Sequence, residues 1–270
     1  MQNPTVSPSI SLQHRTIRPI GAYALQGLSR FENVLLGLDA IRGYLLRINP
    51  LTDDTTLLNP HHVDHFLDAN GLSLSGDRLW FTRDHDVFWC TLADPTPQHF
   101  TTLPYPANGV VAHESILYIA CQKAGYILIY EQTTGQKVTR FPAPGVGPEN
   151  LTIHNDELWV SDRTEQTVYC MDRATGKVRY SFLTPYPEPT GLTFYTCPDT
   201  GKELLYVSYA VEEPYIRDDP NSEDPHQLTF RQKTFIHPLH LYVNETEKYT
   251  LSNGYLIEMC YVEEMSPLEA

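Results

Sequence analysis

The stretch NGLSLSGDRLWFTRD, residues 70–84, decides the fold, because two later stretches repeat its pattern. They are NGVVAHESILYIACQ, which begins at Asn108, and ENLTIHNDELWVSDR, which begins at Glu149. Each has a small or polar pair, alternating apolar residues, a polar turn and an aliphatic–aromatic strand. The openings are 38 residues (108 − 70) and 41 residues (149 − 108) apart. A repeat of about 40 residues with several strands per unit is typical of a β-propeller.

Two weaker copies extend the repeat at both ends. QGLSRFENVLLGLD begins at Gln26, and a copy with a longer turn begins at Thr190. The sequence therefore predicts an all-β fold, a β-propeller of four-stranded antiparallel blades with five blades visible. Six blades is the alternative, with the ring closed by pairing of the two termini, because SISLQ and YLIEMCYV both alternate. The five openings are Gln26-Gly27, Asn70-Gly71, Asn108-Gly109, Glu149-Asn150 and Thr190-Gly191.

We expect one propeller domain over residues 1–270, which can also be the N-terminal domain of a longer protein. Residues 211–238 interrupt the rhythm between the strand Leu204–Ala210 and a predicted strand His240–Glu245. The first half of this insert is rich in Pro and Asp, so it is predicted to be a surface loop. The predicted blades lie near residues 20–60, 69–104, 107–144, 147–185 and 188–262.

The repeated aromatic and glycine positions are predicted to serve packing. One aromatic residue recurs in the second strand of successive copies, where it can bury a large area between blades. Gly follows the first residue of four openings, as expected where inner strands approach one another closely. The recurring aromatic residues are Trp80, Tyr118, Trp159 and Tyr206.

Charge and cysteine content limit the classes of function. The chain has 33 acidic and 19 basic residues and a net charge of −14, which argues against nucleic acid or an anionic membrane as partner. Neither an apolar stretch long enough for a membrane helix nor a secretory signal is recognisable. We therefore expect a monomeric cytoplasmic protein with free buried thiols at Cys90, Cys121, Cys170, Cys197 and Cys260.

Propeller topology predicts where a ligand site would lie. In an up-and-down blade, the start of the first strand and the loop between the second and third strands share one face. We expect any small-ligand site at this channel mouth, with the insert 211–238 above it. The opposite face, with turns such as Ser75–Asp77, is less favoured. The predicted ligand-binding residues are Asn70, Asn108, Glu149, Asn150, Thr190, Asp84, Asp162 and Arg163.

The phrase PENLTIHNDELWVSDRTEQTVYCMD, residues 148–172, resembles repeats of the propeller superfamily that includes NHL-repeat proteins and the gluconolactonase (senescence-marker) family. The resemblance implies six blades and, in the lactonase branch, a divalent cation held at the channel mouth by Glu, Asn and Asp. By position, Glu149 would be the acid and Asn108 or Asn150 the amide, with Asn70 a further choice for the amide. Gln26 and Thr190 depart from the pattern, since the family has acids there.

The missing acids favour a non-catalytic binding or scaffolding propeller, without a cofactor, that engages a protein or peptide partner through its loop-decorated face. The alternative is a divalent-metal-dependent hydrolase or lyase of the gluconolactonase type, with Ca²⁺ or another divalent cation at the channel mouth. Whether the protein is an enzyme stays open, since the lactonase-like alternative remains. The balance is towards no, because the sequence has no GxSxG, no Gly-rich phosphate loop and no HExxH.

Two groups of histidines invite other interpretations. His113 and His154 occupy the same repeat position, a turn after the inner strand, and we interpret them as turn residues. The run HHVDH from His61 to His65 has the short spacing of transition-metal ligands, but we interpret it as a solvated linker, because no motif supplies a separate group of ligands.

Overall fold

The computed structural model describes the backbone of residues 11–16, 18–19, 25–52, 54–184, 188–199, 201, 203–212, 232–238, 246–250 and 256–266. Within these ranges, side chains are described for residues 25–209. Alternating apolar residues form strands, as the sequence predicts, and the described residues are otherwise turns and two short 3-10 helices, Val63–Phe66 and Gln122–Ala124.

Strands β1 (Ser11–Thr16) and β2 (Arg18–Pro19) precede four blades, each made of four consecutive antiparallel strands. The first two blades contain β3 (Leu25–Phe31), β4 (Val34–Asp39), β5 (Tyr44–Ile48), β6 (Thr55–Leu57), β7 (Asn70–Ser75), β8 (Arg78–Arg83), β9 (Asp86–Thr91) and β10 (Gln98–Thr102). The next two contain β11 (Gly109–His113), β12 (Ile116–Cys121), β13 (Tyr126–Glu131), β14 (Lys137–Pro142), β15 (Pro148–His154), β16 (Glu157–Asp162), β17 (Thr167–Asp172) and β18 (Val178–Leu183).

A fifth four-stranded sheet is assembled differently. It contains β19 (Pro189–Thr196), β20 (Glu203–Glu212) and β21 (Gln232–Pro238), and its fourth strand is β2 from the N-terminus. The predicted propeller of four-stranded antiparallel blades is thus confirmed, with four blades of consecutive strands. In the region of the blade predicted near residues 188–262, the N-terminal strand thus completes the sheet, with Arg18 paired to Ile236.

Strands border the predicted insert 211–238 at both ends. Strand β20 continues to Glu212, and the more apolar end of the insert forms β21, which pairs with β20. Residues 213–231 and the predicted strand at 240–245 lie outside the described residues.

The inner strands β3, β7, β11, β15 and β19 contact one another in turn around the axis, and β19 returns to β3. Their glycines allow this approach. A Cβ added to Gly27 would lie 2.7 Å from the backbone of Gly71, and one added to Gly71 would lie 2.7 Å from the Cα of Gly109. A Cβ on Gly191 would lie 3.0 Å from the backbone of Gly27. At these positions glycine is required by space.

Apolar clusters fill the spaces between successive sheets. Trp80 packs in one cluster with Val110 and Leu117 of the next blade, and Tyr206 packs with Leu25 and Leu28 of the first blade. The predicted packing role of the repeated aromatic residues is confirmed, since all four are buried. The ring therefore closes between β19 and β3, through the same kind of interface as elsewhere.

The two termini do not close the ring. Strand β23 (Leu256–Ser266) pairs with β1 and with β22 (Thr246–Thr250) in a separate three-stranded sheet. The alternation in both ends correctly indicates pairing, but the six-bladed ring closed by this pairing is wrong. In the described part of the chain, no helix is long and apolar enough to span a bilayer.

Candidate functional site

A polar pocket of about 480 Å³ opens at the channel mouth, on the face where the inner strands begin. It lies to one side of the axis, against the third, fourth and fifth sheets. Two of the predicted opening residues and one predicted loop residue meet here, together with four residues that the sequence did not single out. The lining residues are Asn108, Gln122, Glu149, Arg163, Thr164, Gln166 and Glu188.

Glu149 is the buried acid of this pocket, with 3% of its surface exposed. It lies in β15, where the register with β16 shifts between Pro148 and Leu151. This irregularity at the start of the strand places Glu149 at the mouth. Burial raises the pKa of the Glu149 carboxyl to about 7, and the neighbouring charge of Arg163 and a hydrogen bond from Asn108 only partly oppose this. Glu149 therefore changes charge near neutral pH.

Asn108 connects Glu149 to the loop of the preceding blade. Its Nδ2 donates to Glu149 Oε2 over 3.3 Å, and its Oδ1 accepts from the backbone amide of Gln122 over 3.2 Å. Its Nδ2 is also 3.4 Å from Gln122 Oε1. The amide is thus fixed with its nitrogen, and not its oxygen, towards the carboxylate.

Arg163 is the cation of the pocket, and its charge is already engaged. Its Nη2 donates to Glu188 Oε2 over 2.6 Å, and both side chains are about two-thirds buried. With Glu149 ionised, the two carboxylates and one guanidinium leave the pocket one negative charge in excess. A cationic group would therefore be favoured there.

Asp162 stabilises the loop that carries Arg163. Its Oδ2 accepts from the Gly147 amide over 2.8 Å and its Oδ1 from the Glu165 amide over 2.8 Å, and the side chain is fully buried. This predicted ligand-binding residue therefore has both oxygens engaged in holding the loop, and it affects the pocket through that loop.

Asn150 closes the channel below the mouth. Its Nδ2 donates to the Gln26 carbonyl of the first blade over 3.0 Å, across the axis, and its Oδ1 accepts from the Leu151 amide over 2.7 Å. Thr190 is likewise buried, with its hydroxyl bonded to the Leu25 carbonyl over 2.6 Å. Both of these predicted residues turn into the ring and connect its inner strands.

The remaining two predicted residues lie away from the pocket. Asn70 is half-buried at the start of β7, where its amide only approaches the Asp68 carbonyl at 3.4 Å. Asp84 lies in the exposed turn after β8 with a φ of 48°, and its carbonyl accepts from the Ala107 amide over 2.8 Å. Both are explained by local turn structure.

Gln122 and Thr164 lie in polar loops between second and third strands that the sequence places on this face, whereas Gln166 and Glu188 are site residues that the sequence pattern does not indicate. Glu188 precedes β19 and carries a φ of 56°, a left-handed conformation that holds it against Arg163. A carboxylate one residue before the PT of the last opening was the available signal for it.

The residues present do not fit the metal site that the resemblance implies. Among the described residues, no three His, Cys, Asp or Glu side chains are grouped as metal ligands would be. Of the predicted metal set, Asn150 is engaged inside the ring and Asn108 presents nitrogen to Glu149. The predicted joint ligation by Glu149, Asn108 and Asn150 thus has no common centre in this geometry.

The histidine run forms no such group either. Val63–Phe66 is a 3-10 helix that buries Phe66, and the rings of His62 and His65 stand 5.0 Å apart. His65 Nδ1 lies 3.2 Å from the Pro95 carbonyl, so one ring nitrogen already has a partner.

Exposed apolar side chains are concentrated at the mouth face. Of seven large hydrophobic residues exposed in the described residues, five lie in loops or strand ends of this face. The other two, Val138 and Val178, lie at the opposite end of outer strands. The apolar rim of the mouth comprises Ile41, Leu58, Leu67, Val146 and Leu183.

Comparison with known proteins defines the class as β-propeller. No family model and no curated protein matches the chain. Among solved structures, the chain is similar to the glutaminyl cyclase of Myxococcus xanthus, with 15% identity, 87% of this chain and 100% of that chain covered, and a TM-score of 0.57.

A luciferin-regenerating enzyme is similar with 13% identity, 83% of this chain and 97% of that chain covered, and a TM-score of 0.51. At these identities the likeness shows the fold alone. The NHL and gluconolactonase families are not specifically indicated by these matches.

Proposed function

We propose that this protein is a non-catalytic binding propeller whose channel mouth holds a peptide segment through a free amino group. The amino group would be an N-terminal ammonium or a lysine side chain. Buried Glu149 is the observation that carries this proposal, because a carboxylate removed from water binds a cation most strongly when that cation replaces its lost hydration.

The other polar groups of the pocket suit the same ligand. An ammonium has three donors and no acceptor. Gln122, Gln166 and Glu188 line the pocket together with Glu149, and their side-chain oxygens are acceptors that such a ligand can use. Arg163 does not oppose the ligand strongly, since Glu188 neutralises it.

The apolar rim supports a peptide rather than a small free amine. Isolated exposed hydrophobic residues are ordinary, but five of seven on one face is uneven. A peptide that places its amino group in the pocket would cover part of this rim with its flanking side chains. Burial of such side chains is the usual source of affinity in peptide recognition.

The test uses the full chain and a pool of heptapeptides, half with free and half with acetylated N-termini and none containing lysine. Affinity selection with mass spectrometry should retain the free-amine members preferentially. Glu149→Gln should abolish that preference, whereas Glu131→Gln, at the far end of an outer strand, should leave it unchanged. Equal retention of free and acetylated peptides, or no retention of either, would refute an N-terminal anchor, and repeating the comparison with lysine-containing and acetyl-lysine peptides of blocked N-terminus refutes the lysine anchor by the same outcomes.

The metal-dependent hydrolase or lyase stays the second candidate. It is supported by the pairing of Glu149 with Asn108 at the mouth, the residue types that the lactonase branch uses. For ligation, the Asn108 amide would have to turn and release the Gln122 amide. Thermal shift with Ca²⁺, Mg²⁺, Mn²⁺ and Zn²⁺ tests this candidate: stabilisation lost in Glu149→Gln would support it, and no stabilisation by any ion would exclude it.

We also infer that the fifth sheet acts as a fifth blade, since its inner strand completes the ring, and that the protein works in a reducing compartment such as the cytoplasm. The second inference is supported by Cys90, Cys121, Cys170 and Cys197, which are buried free thiols.

A further inference from the structure

A second pocket opens at the opposite end of the axis, where the inner strands end. It has a volume of about 320 Å³, and each of the five inner strands contributes to its wall. The floor formed by Asn150 and its bond to the Gln26 carbonyl lies between this pocket and the mouth. The two pockets are therefore independent, and this one plays no part in the proposed peptide binding.

Hydroxyl side chains occupy equivalent positions around this pocket. Ser29 Oγ accepts the Leu74 amide of the next blade over 2.8 Å, and Ser73 Oγ accepts the Ala112 amide over 3.0 Å. Because each oxygen already accepts a hydrogen bond, the hydroxyl proton of each serine is available for donation. The third blade has Val111 at this position and contributes no hydroxyl.

The corresponding hydroxyls of the fourth and fifth sheets lack such amide partners. Thr152 and Thr193 are 9% and 4% exposed, and their hydroxyls make no hydrogen bond with the described residues. Both residues line the pocket, so their hydroxyls are placed to donate to a ligand there that accepts hydrogen bonds.

One arginine and two histidines line the same pocket. Arg30 lines it and uses Nε and Nη1 for the Glu32 carbonyl and the Thr196 hydroxyl, which leaves its Nη2 available. His113 and His154 also line it, and His154 is held flat against Phe194 at 3.8 Å between ring centroids.

The acidic groups at this end have cationic or histidine partners, and one of them, Glu114, lines the pocket beside His113. Glu114 is largely exposed and lies 3.7 Å from Arg173, and Glu203 lies 3.2 Å from His154. Asp156 pairs with Arg173. Among the described residues, Arg30 is therefore the pocket-lining cation without an acidic partner, and its free guanidinium edge is the group that favours an anion here.

We propose that this pocket binds a small oxyanion, a phosphate or carboxylate group, through the hydroxyls of Thr152 and Thr193 and the guanidinium of Arg30. Oxyanions accept several hydrogen bonds at once, and Arg recognises them with particular strength. Inorganic phosphate and acetate are the probes that distinguish the two sources of this chemistry.

Isothermal titration of the full chain with phosphate, sulfate and acetate tests the proposal. We expect saturable binding of at least one anion, weakened roughly tenfold or more by Arg30→Gln and by the double change Thr152→Val with Thr193→Val. The matched controls Arg47→Gln and Thr139→Val, both on exposed outer strands, should bind as the wild type does. No saturable binding to any of the three anions, or equal binding by the pocket variants, would overturn the proposal.

A second measurement needs no variant. Phenylglyoxal modifies exposed arginines, and mass spectrometry can follow Arg30 and Arg47 in the same sample. Phosphate should slow modification of Arg30 severalfold and leave Arg47 unaffected. Equal rates at Arg30 with and without each anion would contradict an oxyanion at this position.

Discussion

Replacement of Glu149 by Gln should stabilise the protein at alkaline pH and much less at acidic pH. Burial raises the pKa of Glu149 from 4.5 to about 7 in the folded chain. Each unit of difference corresponds to about 1.4 kcal/mol, so ionised Glu149 costs the fold about 3 kcal/mol. Glutamine is uncharged and can still accept from the Asn108 amide, so it removes this cost.

The pH window follows from the sign of the shift. Because the folded pKa lies above the unfolded value, the folded state binds the extra proton between about pH 4.5 and 7. The contribution of Glu149 to the free energy of unfolding is therefore most favourable below pH 4.5 and is lost as the pH rises through 7. The variant and the wild type should have similar stability near pH 5 and diverge towards pH 8.5.

Urea unfolding at pH 5, 7 and 8.5 measures the difference. We expect Glu149→Gln to exceed the wild type by about 3 kcal/mol at pH 8.5, and Glu131→Gln to follow the wild type throughout. Two results would refute the conclusion that ionised Glu149 destabilises the fold. One is a difference between Glu149→Gln and the wild type that is constant with pH, and the other is a variant that is less stable than the wild type at pH 8.5.

Three further predictions concern the ring itself. Gly109→Ala should cost about 3 kcal/mol in urea unfolding, because its Cβ would clash with the Glu149 carbonyl and lie 2.7 Å from the Asn150 Cα. Gly76→Ala, with open space but a φ of 62°, should cost about 1 kcal/mol. Equal costs would contradict the close approach of the inner strands β11 and β15. Asn150→Ala should cost about 2–4 kcal/mol, because it leaves the Gln26 carbonyl and the Leu151 amide without their hydrogen-bond partner. The same substitution at Asn70 should cost under about 1 kcal/mol. A reversed order of the two costs would contradict the hydrogen bond across the axis. Burial raises the pKa of Cys90, Cys121 and Cys170 to about 12, so these thiols should react with a disulfide reagent at pH 8 only after unfolding; peptide mapping that finds them modified in the native protein would contradict their burial.

The local parts of the fold could be predicted from the sequence, because they depend on short-range pattern. Alternation located the strands of the four consecutive blades, and the repeated position of Trp80 and Tyr206 located the inter-blade packing. Turn residues with positive φ, such as Asn155 and Asp156, mark hairpins that the sequence also shows.

Features that depend on distant pairing could not be predicted. Strand β2 joins the fifth sheet through Arg18 and Ile236, two residues with no local signal that connects them. The same limit explains the site. Glu149 and Asn108 were found because they begin successive copies, whereas the inward turn of Asn150 depends on a carbonyl 124 residues away. Glu188 was missed because its role depends on Arg163 in another blade.

The proposal that ionised Glu149 anchors an amino group is tested most directly by calorimetric titration of one free-amine heptapeptide at pH 6 and pH 8. Since the pKa of Glu149 is raised to about 7, its ionised fraction rises roughly tenfold from pH 6 to pH 8, while the ammonium fraction of the peptide falls roughly two- to threefold. The wild type should therefore bind roughly three- to fivefold more tightly at pH 8 than at pH 6. Glu149→Gln should bind weakly at both pH values, and an acetylated peptide should bind weakly to either protein. Affinity that is the same at both pH values, or undiminished in Glu149→Gln, would contradict the proposal.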